Sequence, residues 1–185
     1  MPATSRKRSS NHARAGRSRM DAIALLQADH RKVRQLLARL AKTTERSTTQ
    51  REQLLTQIEK EVKIHTAIEE EIFYPAFKEA VRSKSDAHLY FEALEEHHVV
   101  DMVLPEIKAA DTDSEEFGAK AKVLKDLIEH HAEEEETQMF PKARKAMGMA
   151  RLLELGQELQ ERKQQLGTSL WERAVSSIAR RRRAA

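Results

Sequence analysis

The sequence predicts an all-α fold, an up-down-up-down four-helix bundle with a C-terminal helical extension. Three observations carry that expectation. In 185 residues, Gly (5) and Pro (4) are scarce while charged residues make up 34%, a balance that suits long amphipathic helices better than sheets. Apolar residues recur at steps of three and four along four successive stretches, with short polar breaks between them. The second pair of stretches also echoes the first pair 66 or 67 positions later.

Taken in order, residues 1–19 (MPATSRKRSSNHARAGRSR) have no apolar periodicity and are expected to form a disordered basic tail. The first helix is expected over residues 21–42, with Ile23, Leu26, His30, Val33, Leu37 and Leu40 on one face. Thr49 and Glu52 have the spacing of a capping box and are expected to start the second helix. That helix aligns Leu54, Ile58, Val62, His65, Glu69 and Ile72, and Pro75 is expected to kink it or end its regular part. SKSDAH reads as the next break, and a third helix comes after it with Leu94, His97, Asp101 and Leu104 in line. After the acidic loop DTDSEE, a fourth helix aligns Leu124, Leu127 or Ile128, His131, Glu135 and Met139. MARLLELGQELQERKQQL predicts a further helix against one end of the bundle, with Trp171 anchoring the C-terminal segment. The expected organisation is a tail over 1–19, a bundle over 20–147 and a helical extension with a basic tail over 148–185.

The repeat carries the chemistry. HTAIEEEIFYP, from His65 to Pro75, returns as HAEEEETQMFP, from His131 to Pro141. Each has His, then Glu four residues on, then Pro ten residues after the His. His30 and His97 open the matching earlier segments, 67 residues apart. Residues i and i+4 share a helix face, so each His-Glu pair can converge on one point in the bundle axis. A lone histidine on an apolar face is ordinarily a hydrogen-bonded core residue, and glutamates in EEE and EEEE runs are ordinarily solvated. Two matched copies argue otherwise, because a carboxylate inside an apolar stripe is costly unless it is paired or bound to metal. The expected site is a metal centre in the bundle core built from His30, His65, Glu69, His97, His131 and Glu135. Register selects His97 over His98 and His131 over His130. With no cysteine in the chain, a metal must sit on nitrogen and oxygen, and spacing alone does not choose iron over zinc or manganese.

This layout resembles the hemerythrin-like (HHE cation-binding) family over roughly residues 21–147, and the closing IFYP and MFP segments match it as well. The resemblance implies a four-helix bundle with a non-haem di-iron centre. Glu69 and Glu135 would bridge two iron ions, with His30, His65, His97 and His131 as terminal ligands. It also implies that the partner is O2 or a related small oxidant such as peroxide or nitric oxide, to be bound or sensed. An oxidase or peroxidase and an iron-responsive or storage module are the alternatives. Asp101 stands where oxygen carriers of the family have a further histidine, four residues after His97. The shell then leaves about two positions for solvent, Asp101, His98 or substrate. Tyr74, five residues after Glu69, is expected to be packing.

Composition narrows the remaining functions. The net charge of +3 belongs to the ends: the first 20 residues carry six bases and no acid, and the last 15 carry five arginines against Glu172. Residues 21–170 are therefore acidic, at about −7, which suits a cation site. The arginine clusters have no interleaved aromatics, so nonspecific attraction is expected and specific nucleic-acid binding is not. There is no Gly-rich phosphate loop or nucleophile motif. No apolar run reaches the roughly 18 residues of a membrane span, and the basic N-terminus precedes no apolar stretch, so a cytoplasmic protein is expected.

Overall fold

In the computed structural model, the backbone is described for residues 20–183 and the side chains for residues 20–169 other than Lys84. The expected N-terminal tail and the anchoring by Trp171 lie outside these residues. Among the described residues there are helices and no strands. Helix α1 spans Ala22–Ala41, and the Asp21 carboxylate caps it by accepting the Ala24 N–H at 2.9 Å. The second bundle rod is α2 (Thr48–Ile68), a π-helical turn (Glu69–Phe73) and α3 (Tyr74–Ala80). The third is α4 (Lys84–Ala109). The fourth is α5 (Glu115–Glu134), a second π-helical turn (Glu135–Met139) and the start of α6 (Phe140–Arg183).

Several boundaries differ from expectation. The Thr49–Glu52 capping box is not used: α2 starts at Thr48, and the Ser47 carbonyl accepts the Arg51 N–H. SKSDAH is mostly helix, because the Ser83 hydroxyl accepts the Asp86 N–H and starts α4 there. Pro75 and Pro141 do not end their rods. Each comes after a π-helical turn in which a backbone N–H reaches five residues back, from Tyr74 to Glu69 and from Phe140 to Glu135. The wider turn takes up the hydrogen-bond register that a proline disrupts.

The C-terminal helix packs against the part of the bundle that holds the start of α1 and the π-helical turn of the second rod. Gly148, at φ 72°, turns the chain in a conformation that favours glycine, and the rest of α6 packs against α1, α2 and α3. Leu152, Leu155 and Leu159 are buried there, each worth about 1.5–3 kcal/mol on removal from water. Gly156 permits the close approach, since a Cβ would stand 2.3 Å from the Met20 carbonyl oxygen. Arg162 and Lys163 add ion pairs to Glu71 and Asp29.

The core is split. One apolar cluster contains Leu26, Ile68, Phe73, Phe77, Ala93, Met139 and the α6 leucines. The other holds Val33, Leu37, Ile58, Val62, Val100, Leu104, Phe117 and Ile128. At its loop end Arg51 donates to Thr43 Oγ1 and the Thr112 carbonyl, joining the two interhelical loops. Between the clusters, on all four rods, lies a polar layer.

Candidate metal centre

The polar layer consists of the six residues the spacing selected. His30 sits between Leu26 and Val33 on α1, and His65, His97 and His131 hold equivalent places on α2, α4 and α5. All four are buried, as are Glu69 and Glu135 at 0% and 2% exposure. Each carboxylate would be expensive there without a positive partner.

The imidazoles meet in pairs. His30 Nε2 lies 3.0 Å from His65 Nε2, and His97 Nε2 lies 3.1 Å from His131 Nε2. The glutamates join the pairs: Glu69 Oε2 is 3.2 Å from His65 and 3.5 Å from His97, and Glu135 Oε2 is 3.1 Å from His30 and 3.6 Å from His131. His30, His65, Glu69 and Glu135 form one group able to hold a cation, and Glu69, His97 and His131 form another that shares Glu69. Glu69 Oε1 and Glu135 Oε2 are buried without a hydrogen-bond partner. The donor set therefore fits metal: imidazole nitrogens and carboxylate oxygens converge, and one oxygen of each glutamate has no hydrogen-bond donor.

A second ring of carboxylates, which sequence reasoning did not identify, faces the outer nitrogens. His30 Nδ1 donates to Glu136 at 2.8 Å, His97 Nδ1 to Glu70 at 2.8 Å and His131 Nδ1 to Glu96 at 2.7 Å. His65 Nδ1 has Asp29 at 3.8 Å. A carboxylate behind the imidazole fixes the tautomer, so that Nε2 keeps its lone pair for the centre. The repeat could have revealed the ring. Asp29 and Glu96 each precede the first histidine of a copy, and Glu70 and Glu136 each come directly after the central glutamate.

Burial is the largest influence on the titrating groups of the layer, and the neighbouring charges act against it or add to it. Burial pushes the Glu69 carboxyl well above the usual carboxylate range, and the Glu135 charge adds to it. Glu135 is held low: burial opposes its charge, but His131 and His30 outweigh burial. His65 is brought down to about 4 by burial. For His30, burial disfavours the protonated ring, yet Glu135 and Glu136 raise it to about 9. The buried glutamates and histidines thus compete for protons at the very atoms that would ligate a cation.

Two expectations need correction. Tyr74 is not simply packing: its hydroxyl donates to Glu135 Oε1 at 2.9 Å and lies 3.3 Å from His97 Nε2, while its ring stacks on His97. The π-helical turn brings the fifth residue after Glu69 back toward the face that Glu69 occupies. Asp101 and His98 are exposed and do not approach the centre, because the inward face of α4 runs through Ala93, His97, Val100 and Leu104. His130 is exposed as well. Beside the centre, a cavity of about 20 Å³ is lined by Val33, Val62, Val100, Ile128, Thr66, His65, His97 and His131.

Comparison with known proteins agrees with the fold. The structure matches a hemerythrin HHE cation binding domain-containing protein from Mycobacterium kansasii with a TM-score of 0.71 and 26% identity, covering 83% of this chain and 91% of that one. A curated relative, a DNA nickase from Nostoc sp., is 28% identical over 116 residues, 63% of this chain. The chain spans only 31% of that relative's length. Among the described residues no helix is long and apolar enough to cross a membrane. Residues 21–143 match the Hemerythrin HHE cation binding domain, and the chain belongs to that family of metal-binding helical bundles.

Proposed function

We propose that His30, His65, Glu69, His97, His131 and Glu135 hold two iron ions, and that the protein binds or senses oxygen or a related small oxidant, peroxide or nitric oxide. The observation that carries this reading is the pairing of imidazoles across two shared carboxylates. Two ligands about 2.1 Å from one cation and at right angles lie about 3 Å apart, the separation within each histidine pair. Two pairs joined by Glu69 and Glu135 support two cations rather than one.

Iron in this setting supplies electrons to small oxidants. The protein's own part is to position, shield and donate. Glu136, Glu70 and Glu96 hold three imidazoles by their outer N–H groups. Val33, Val62, Val100 and Ile128 keep bulk water from the adjoining cavity, whose size suits a diatomic or a single water. The Tyr74 hydroxyl offers a proton at Glu135 Oε1, and burial with the Glu135 and Glu69 charges pushes that phenol well above its ordinary range, so it stays a donor. A cavity this small favours a stoichiometric centre over iron storage, and a donor beside the carboxylates favours an oxidase or peroxidase as the second reading.

Anaerobic loading with ferrous iron, desalting and metal analysis test the proposal. Two irons per chain are expected, with a visible absorption band that appears on adding oxygen or peroxide. Failure to retain iron, or retention with no optical response to either oxidant or to nitric oxide, overturns it.

A further inference from the structure

The fourth rod carries two overlapping copies of the His-x-x-x-Glu pattern, one residue out of step. His131 and Glu135 face inward. His130 and Glu134 face outward, toward Glu96 on α4, and His130 Nε2 lies 3.8 Å from Glu96 Oε1 and 3.8 Å from Glu134 Oε1. These three residues can offer ligand atoms that all lie within 4.8 Å of one another. Glu96 belongs to both layers, since its other oxygen accepts the N–H of His131. Beneath them a narrow cleft between α4 and α5, lined by Glu92, Ala93, Glu96, Glu134 and Met139, ends at Glu135. Glu135 is the residue that the cleft shares with the buried centre.

The other half of the repeat lines its equivalent seam with different residues. The counterparts of Glu92, His130 and Glu134 are Leu25, Ile64 and Ile68, all buried. The counterpart of Glu96 is Asp29, paired with Lys163 of α6. One seam is thus apolar and sealed by α6, whereas the equivalent seam is acidic and exposed. Among the described residues, Glu92, Glu96 and Glu134 form no ion pair with lysine or arginine, and only histidines face Glu96 and Glu134.

We propose that Glu96, His130 and Glu134 form an outer site for a divalent cation, from which the metal passes along the α4–α5 seam to the buried centre. A histidine nitrogen and two carboxylates suit ferrous, manganous or zinc ions. With His130 64% exposed, such an ion keeps part of its water, so the site holds it more weakly than the buried centre. Delivery by this route rests on the reading of the centre as a metal site; binding at the outer site does not.

The test uses the full chain and a double variant, His130→Ala with Glu134→Gln, whose changes lie on the surface. Manganous ion bound per chain is counted by electron paramagnetic resonance. The variant is expected to bind one cation fewer than the wild type, and equal numbers overturn the outer site. A count falling from three to two keeps the buried centre, whereas a count falling from one to none keeps the outer site and rejects the centre. Ferrous uptake followed by stopped flow is expected to slow about tenfold in the variant, with the same final iron content. Unchanged uptake overturns the route.

Discussion

The two halves of the bundle build the centre alike and surround it differently. In each half a histidine on one helix meets a His-x-x-x-Glu pair on the next, a π-helical turn starts at the glutamate, and a proline comes after it. The aromatic five residues after the glutamate breaks the match. Tyr74 stacks on His97 and reaches Glu135 with its hydroxyl, while Phe140 stacks on His30 and brings no polar atom. The seams differ too, one buried under α6 and the other acidic. Holding cations is a symmetric task, and the repeat supplies it twice. Under the proposed function, proton donation and access would be needed on one side only, and there the copies have diverged.

The largest effect should come from breaking what the halves share. Glu69→Ala and Glu135→Ala are each expected to cost both cations, read as loss of metal through desalting; retention of one cation in either variant would mean the halves bind independently. Next comes the sealed seam. Leu155→Ala removes a fully buried side chain and should destabilise by about 2–5 kcal/mol in denaturant titration, whereas Glu92→Ala on the acidic seam should stay within about 0.5 kcal/mol. Equal costs would remove the distinction between the seams.

The outer carboxylates sharpen the comparison further. Glu70→Ala and Glu136→Ala should each weaken metal affinity by about 10–100-fold in competition with a chelator. Asp29→Ala should cost less, because Asp29 is 3.8 Å from its imidazole and engaged by Lys163. The smallest effect on metal binding is expected for Tyr74→Phe, which makes the halves alike. It should cost about 1 kcal/mol and leave two metals per chain, but alter the visible spectrum of the oxidised centre. An unaltered spectrum would return Tyr74 to a packing role.

Much of the bundle and its centre was legible in the residues. Helical periodicity placed all four rods, and the repeat separated His97 from His98 and His131 from His130, the inner residue being buried in each case. What stayed hidden depends on backbone register and on packing between helices. The π-helical turns leave no periodic signature in ten residues, and without them Tyr74 points away from Glu69. Glu70 and Glu136 sit in acidic runs that read as solvated, and only the crossing of α2 over α4 and of α5 over α1 turns them toward imidazoles. Asp101 was misread because an i+4 step from His97 drifts off the buried stripe, which continues through Val100 and Leu104 instead.

The central claim is that two cations are held, each by one imidazole pair, with Glu69 and Glu135 between them. Anomalous diffraction at the iron edge, from crystals of anaerobically loaded protein, addresses it most directly. Two peaks are predicted, one beside the Nε2 atoms of His30 and His65 and one beside those of His97 and His131. A single peak, or peaks away from these four nitrogens, would contradict the account.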